Sequence, residues 1–374
     1  MTAELTLPSP ADALASLNPA LRAELQGLIG DGVSANTLRG YEGVYARFDE
    51  WCQSEGQQSL PATAAAIGGY LAFLTLRTDI TIKPGTLRHV VHVLSARQKA
   101  HGYGPLPSDT LMMANKAIKG HALRIGALAK DKAYPLVPDA IREACFGLHA
   151  AAQRGEISEF VWLRAGLMLT LAYSVAARES EVCGWRIGDI RVMDSGLDVY
   201  FWKSKTDREM QGVHRPVPCG HSVLTDPVTR LTEYLAYLES AGFDVTSPEA
   251  LRAPLLRSVT NQGEPRRIVT LPAKVRGGDG TVREVMKTYG GLTVRGVDDI
   301  YRNACRIGGI AQWAEVSGHS PRSGFATTNA FALVPKAIWT RHGRWSVNSP
   351  VAEDYVQAVE LVMNNPLNLK AVGL

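Results

Sequence analysis

Residues 159–176, EFVWLRAGLMLTLAYSVA, constrain this chain more than any other stretch, because they are apolar on nearly every side of a helix. A surface helix carries one apolar stripe and leaves the rest to water. A helix that is apolar all round must instead be enclosed, so this segment predicts the buried central helix of a domain. The whole chain has 374 residues, which is long for a single core and predicts two domains. Composition is that of a soluble protein, with 45% hydrophobic and 20% charged residues and no apolar run long enough to cross a bilayer.

The other segments fall around that helix. Residues 1–30 are Pro- and Ala-rich with weak pattern and predict a loose tail with a short helix. From residue 31 to 126 the periodicity is helical throughout. Leu38, Tyr41, Val44, Tyr45, Phe48 and Cys52 recur at helical spacing behind Ser34 as a cap, and a second helix restarts at Pro61. A third follows Pro84–Gly85, burying Leu87, Val90, Val91 and Leu94, and DTLMMANKAIKGHALRIG forms a fourth. The first part is therefore an all-helical bundle. Residues 127–138 carry charge and two prolines without periodicity and read as a linker to a second domain, residues 139–374. There, Pro138 and Asp139 start a helix, and GLDVYFWKSKT pairs with GVHRPVPCG as strands. LLRSV is a candidate further strand, and the Gly- and charge-rich residues 272–290 are expected to form a long mobile loop. The fold class is mainly α with a small antiparallel β-sheet.

Charge is unevenly placed. The net value is only +4, yet residues 1–82 carry four basic against nine acidic residues, and residues 83–132 carry nine basic against two acidic. Such a basic segment marks a face on which a polyanion lies, or a solvated helix surface. The N-terminus lacks a basic start followed by an apolar stretch, so no secretory signal is expected. Five cysteines without a CxxC pair argue against a zinc site and fit reduced thiols in a cytoplasmic protein.

Several residues could carry chemistry. Arg178 stands where the apolar helix gives way to a turn, with Glu181 three residues on; alone, the two read as a structural ion pair. Lys203 and Lys205 share a face at a strand end, where lysines ordinarily serve solubility. In GHSPRSGFAT, His319 and Arg322 lie three residues apart where a helix begins, an arrangement suited to phosphate oxygens. Further on stand His342, Trp345 and Tyr355; a lone tyrosine on an amphipathic helix is more often core than catalyst, but Glu353 and Asp354 place this one near a surface.

The order Arg…Lys…His-x-x-Arg…Trp…Tyr, preceded by a basic helical bundle, resembles the tyrosine recombinase (phage integrase) family, and within it the Cre-like branch. The resemblance covers most of the chain, with SGHS-x-R and the Trp of GRW as its most specific parts. It implies an N-terminal core-binding bundle and a C-terminal catalytic domain that together clamp DNA, with an exchange tail from about residue 360. Tyr355 would be the nucleophile that attacks a phosphodiester and leaves a 3′-phosphotyrosyl enzyme and a free 5′-hydroxyl. Arg178 and Arg322 would grip the non-bridging oxygens, and His319 would donate to phosphate and help manage the tyrosine proton. Lys205, with Lys203 as runner-up, would protonate the 5′-oxygen; Trp345 would give an indole N–H to phosphate, and Glu181 would orient Arg178 or His319. No metal or other cofactor is required.

The resemblance also implies partners: a double-stranded DNA target with inverted-repeat arms, bound by a dimer per site and a homotetramer on two sites, and no membrane. Arg88 and His89 are then candidates for groove contacts, and Lys83, Lys119 and Lys132 for phosphates. A topoisomerase or telomere resolvase would share the chemistry, and a DNA-binding architectural relative would lack it. Two departures stand out. The spacing from Trp345 to Tyr355 is one residue longer than the family pattern and contains Pro350, which predicts local remodelling before Tyr355, and residues 272–290 are extra.

Overall fold

The computed structural model describes residues 18–21, 24, 35–127, 133–202, 212–276, 282–346 and 348–363. Ser34, Lys132, Lys203, Lys205 and the tail from residue 364 lie outside the described residues, as do the side chains of Leu361, Val362 and Met363. The chain divides into two compact units: Met1–Asp131 with Lys274–Arg283, and Lys132–Ala273 with Glu284–Leu374.

Among the described residues, the first unit packs α1 (Ala35–Ser54), α2 (Ala64–Thr75), α3 (Pro84–Ala100) and α4 (Ser108–Arg124) together. Their apolar stripes meet in a core around Phe48, Ile67, Leu87, Leu94 and Ile118. Of the predicted α1 stripe, Val44, Phe48 and Cys52 are buried, Tyr41 and Tyr45 pack on the core rim, and Leu38 is exposed. Helix α2 begins later than the Pro61 start expected, because Thr63 caps it by accepting a hydrogen bond from the Ala66 N–H.

In the second unit, α6 (Glu159–Ser174) is the central helix that its sequence demands. Every residue from Phe160 to Ala172 except Val161 is buried. It is enclosed by α5 (Pro138–Gln153), α8 (Pro227–Ser240), α10 (Val294–Ile307) and α11 (Ser320–Phe331). Ser158 caps α6 through the Val161 N–H.

A three-stranded antiparallel sheet, ordered β1 (Ile190–Met193), β2 (Gly196–Phe201), β3 (Val213–Pro218), follows the short helix α7 (Glu179–Gly184). Val199 pairs with Ile190 on one side and Arg215 on the other, and Leu197, Val199, Phe201 and Val217 face the core. The sequence predicts β2 and β3; β1 is an addition. LLRSV does not form a strand in a sheet. Its Leu255 carbonyl accepts from the Tyr234 hydroxyl, and its Arg257 N–H donates to the Tyr234 hydroxyl oxygen, so two groups a ladder would use are taken by one side chain.

The expected loop at 272–290 is corrected: β4 (Val269–Arg276) and β5 (Val282–Tyr289) form a two-stranded sheet. The glycines that suggested a loop are concentrated at positions 277, 278 and 280, between two segments rich in Val and Thr that favour extended backbone. Helices α9 (Pro248–Arg252), α12 (Lys336–His342) and α13 (Pro350–Met363) complete the described chain, and among the described residues no helix is long and apolar enough to cross a membrane.

Candidate active site

The site begins where α6 ends. Ala176 adopts φ 47°, turning the chain sharply, with Ala176 N–H on the Tyr173 carbonyl and Ala177 N–H on that of Ala172. This left-handed conformation costs an alanine roughly 1–2 kcal/mol, since its Cβ crowds the carbonyl. The turn sends the next residues into α7, with Arg178 at its N-cap. Glu181, at the third position of α7, accepts from the Arg178 backbone N–H at 2.9 Å and from Arg178 Nη1 at 2.6 Å. Of the two neighbours expected for Glu181, Arg178 is thus in contact with it.

A second cation shares that carboxylate. Arg344 Nη2 donates to Glu181 Oε2 at 2.7 Å, with the Arg344 and Glu181 side chains only 2% and 6% exposed. Burial alone would raise the Glu181 carboxyl, but Arg344, the Arg178 backbone N–H and the Arg178 guanidinium hold it below the usual glutamate range.

Arg322 comes from the first turn of α11, with His319 at the N-cap position and the His319 carbonyl accepting from Ser323 N–H. The helix sits close against the segment before α5. Leu136 N–H donates to the Ser320 carbonyl, and a Cβ on Gly324 would fall 1.9 Å from the Leu136 oxygen, so only glycine permits this approach. The Arg322 side chain is buried, and its Nη1 donates to the carbonyls of Ala176 at 2.5 Å and Gly343 at 2.6 Å. Burial first, then repulsion from Arg178 and Arg344, pulls its guanidinium down to about 9, so it remains a cation at neutral pH.

Trp345 covers Arg322, with the guanidinium carbon 3.7 Å from the ring centroid. The indole belongs to an aromatic group: Phe325 stacks at 6.5 Å, Trp339 meets it edge-on at 5.4 Å, and His342 stacks on Phe325 at 5.4 Å. Burial lowers the His342 pKa, so at neutral pH the ring is uncharged and Nε2–H donates to the Ser174 carbonyl.

Tyr355 lies in α13, which packs on α11 and α12 through Ala352, Ala326, Phe325 and Trp339. Its hydroxyl is 2.8 Å from Ser323 Oγ, one residue beyond Arg322. Pro350 opens α13 instead of interrupting it, and a proline in the first turn lacks only an N–H that has no intrahelical partner. An ion pair from Lys336 to Glu353 ties α12 to α13.

Arg178, Glu181, Arg322, Trp345 and Tyr355, which span 178 residues of sequence from first to last, are thereby joined by one network of contacts with His319 at its helix start. Lys203 and Lys205 follow β2, whose last residue Phe201 lies under the Arg344 guanidinium at 3.7 Å. Sequence reasoning missed Arg344, Ser323 and also Arg215, whose Nε and Nη2 donate to the carbonyls of His342 and Arg341. Ser323 was the most accessible of these, standing beside Arg322 in the same motif.

In the helical unit, Lys83 precedes α3 at its N-cap, Arg88 and His89 are exposed on α3, and Lys119 is exposed on α4 beside Lys116. Tyr41 meets both His89 and His92 edge-on and hydrogen-bonds His92 at 2.8 Å. Lys116 and Lys119 thus make an exposed cationic surface on α4, and Tyr41 lies beside the exposed histidines of α3.

No protein-family model matches the chain. An integrase/recombinase xerD homolog from Selenomonas ruminantium is 23% identical over 337 residues, covering 89% of this chain and 84% of the relative. Among solved structures, a lambda integrase (75–356) dimer bound to a COC' core site aligns over 90% of this chain and 93% of its own at 16% identity, with a TM-score of 0.48. XerH site-specific recombinase bound to difH substrate aligns over 79% and 74% at 15% identity, with a TM-score of 0.39. The sequence likeness to a recombinase homolog runs along most of this chain, and Arg178, Glu181, Arg322, Trp345 and Tyr355 lie in one network of contacts.

Proposed function

We propose that this chain is a site-specific DNA recombinase that cuts and rejoins strands through a phosphotyrosyl bond at Tyr355. The observation that carries the reading is the convergence of Arg322, a covering indole and a tyrosine hydroxyl on one turn of α11, with the Arg178 guanidinium near enough to repel that of Arg322. A site with three guanidinium groups and one carboxylate holds excess positive charge in a mostly buried setting, which favours a phosphate over a neutral substrate.

In this mechanism Arg178 and Arg322 bind the non-bridging oxygens and stabilise the pentavalent transition state. The Tyr355 oxygen attacks phosphorus, losing its proton with help from His319, while Ser323 holds the hydroxyl in place. The bond to the 5′-oxygen breaks, and Lys205, or Lys203, gives that oxygen a proton. Reversal by the 5′-hydroxyl of a second strand rejoins DNA and releases the tyrosine. Because the phosphotyrosyl bond stores the energy of the phosphodiester, the cycle proceeds without net hydrolysis.

The DNA partner is a duplex with inverted-repeat arms, bound by a dimer, with a tetramer spanning two sites. Arg88 and His89 reach the groove and Lys83, Lys119 and Lys132 the phosphates. The apolar residues Leu361, Val362, Met363, Leu367 and Leu369 of the tail dock on a neighbouring copy, so deleting residues 364–374 weakens pairing of two sites more than binding to one. Unchanged recombination by that deletion overturns the docking role.

The decisive test is covalent trapping on nicked suicide duplexes, followed by sequencing of the attached strand. The wild type should yield an adduct at a 3′ end and Tyr355→Phe none. A two-site plasmid then separates exchange from relaxation: recombinant products support the reading, and relaxed circles alone assign the chain to topoisomerase chemistry.

A further inference from the structure

Arg344 lies in a conformation and a place that its residue type makes costly. It follows the C-terminus of α12 at φ 57°, where glycine or asparagine is the usual occupant. Its side chain is 2% exposed, so a guanidinium has been taken out of water at an unfavourable backbone position. Its partners account for both costs. Nη1 donates to the Val175 carbonyl at 2.9 Å, and Nη2 donates to Glu181 Oε2 at 2.7 Å. The guanidinium lies 3.7 Å over the Phe201 ring, and the Arg344 backbone carbonyl accepts from Arg178 Nη2 at 3.3 Å.

Two consequences follow for the site. With Arg344 and the Arg178 backbone N–H both on Oε2, Glu181 holds the Arg178 guanidinium through Oε1 at Nη1. Without Arg344, Oε2 keeps only the Arg178 backbone N–H and has a lone pair left to close on the Arg178 fork, in the bidentate arrangement that Arg–carboxylate pairs prefer. Arg178 would then be turned toward Glu181 and its charge cancelled. Charge balance leads the same way. Arg178, Arg322 and Arg344 against Glu181 leave a net of two positive charges; loss of Arg344 leaves one. The Val175–Ala176 turn that Arg344 holds also presents the Ala176 carbonyl to Arg322, so both phosphate-facing arginines depend on the geometry it fixes.

We propose that Arg344 is a positioning residue of this active site: it divides the Glu181 carboxylate, holds Arg178 and the Ala176 turn in place, and preserves positive charge for the scissile phosphate. This inference rests on the recombinase reading above.

The test uses the full-length chain and a pool of nicked, randomised-sequence duplexes enriched for wild-type binding, with covalent adduct formed per unit time as the readout. Arg344→Gln should slow adduct formation at saturating DNA by about tenfold or more while DNA affinity stays within about threefold. Arg344→Lys, which keeps the charge and loses the fork, should fall between Arg344→Gln and wild type. The diagnostic variant is Glu181→Gln/Arg344→Gln, which restores the net charge of two and removes the competitor for Arg178. It should form adduct faster than Arg344→Gln, a coupling that a merely structural arginine would not show. An Arg344→Gln protein that cleaves at the wild-type rate overturns the proposal, and so does a double variant no faster than Arg344→Gln. Should Arg344→Gln fail to fold, the double variant and Arg344→Lys decide: the proposal stands only if the double variant forms adduct at least as fast as Arg344→Lys. A wild-type chain with no Tyr355-dependent adduct overturns the recombinase reading itself, which separates the two failures.

Discussion

Arg322 lies against the face of Trp345, its guanidinium carbon 3.7 Å from the ring centroid, and that contact joins a cation to a packed aromatic wall. The ring leaves one side of the guanidinium no room to move, while the carbonyls of Ala176 and Gly343 fix Nη1. A cation–π contact shielded from water contributes about 2 kcal/mol. Trp345→Ala should therefore slow covalent cleavage at saturating DNA by roughly thirtyfold. Trp345→Phe, which keeps a π-face, should retain most of the rate. Equal rates for the two variants in a single-turnover cleavage assay would remove Trp345 from the catalytic account.

Gly343 carries a related expectation. Its φ of −79° suits any residue, so backbone freedom is not what requires glycine there. A Cβ, however, would fall 1.8 Å from Cζ3 of Trp345. Gly343→Ala should push the indole off Arg322 and cost about 1–3 kcal/mol of stability through overpacking. Its cleavage defect should match that of Trp345→Ala within a few-fold, and combining the two should add little, because both remove one contact. Thermal melting and adduct time courses on the three variants check this.

How much of the site could be read from sequence depends on how local each contact is. Arg178 with Glu181, and His319 with Arg322, are three residues apart, so helix geometry alone places them together. Arg344 bonds Val175 and Glu181 across separations of 169 and 163 residues, and no periodicity encodes such a meeting. Ser323 and Tyr355 meet across 32 residues for the same reason. In the fold, α6 was legible because a helix without a polar face has one destination. The β4–β5 strands were hidden by neighbouring glycines that dominated the composition of the window. Strand β1 is four residues long with one buried position, too short for alternation to register.

Ser323 should matter to rate more than to stability. Its hydroxyl lies 2.8 Å from the Tyr355 hydroxyl, and the two side chains sit on packed helices that hold them without that bond. Ser323→Ala removes one neutral hydrogen bond, typically worth about 1 kcal/mol. Cleavage should slow by about fivefold as Tyr355 samples orientations away from the phosphate. The melting temperature should shift by only a few degrees. A Ser323→Ala variant with wild-type single-turnover cleavage would show that helix packing alone orients Tyr355.

Glu181 gives the site a defined response to acid. Burial favours its neutral form, yet Arg344, the Arg178 backbone N–H and the Arg178 guanidinium hold its pKa below the ordinary value. A carboxyl with a lowered folded-state pKa contributes stability that is fully present above the unfolded value of about 4.3 and is lost as pH falls through the folded value. Glutamine at this position cannot titrate and leaves the paired arginines buried without an anion, which destabilises by about 3–5 kcal/mol when such a pair is broken. The stability gap between wild type and Glu181→Gln should thus stay level from neutral pH down to about pH 5 and then narrow as the wild-type carboxyl takes up its proton. Other carboxylates titrate in both proteins and cancel in the difference. Urea midpoints measured for the pair across that range test it, and a gap that widens on acidification would mean that the folded carboxyl lies above its ordinary value and that burial outweighs the two arginines.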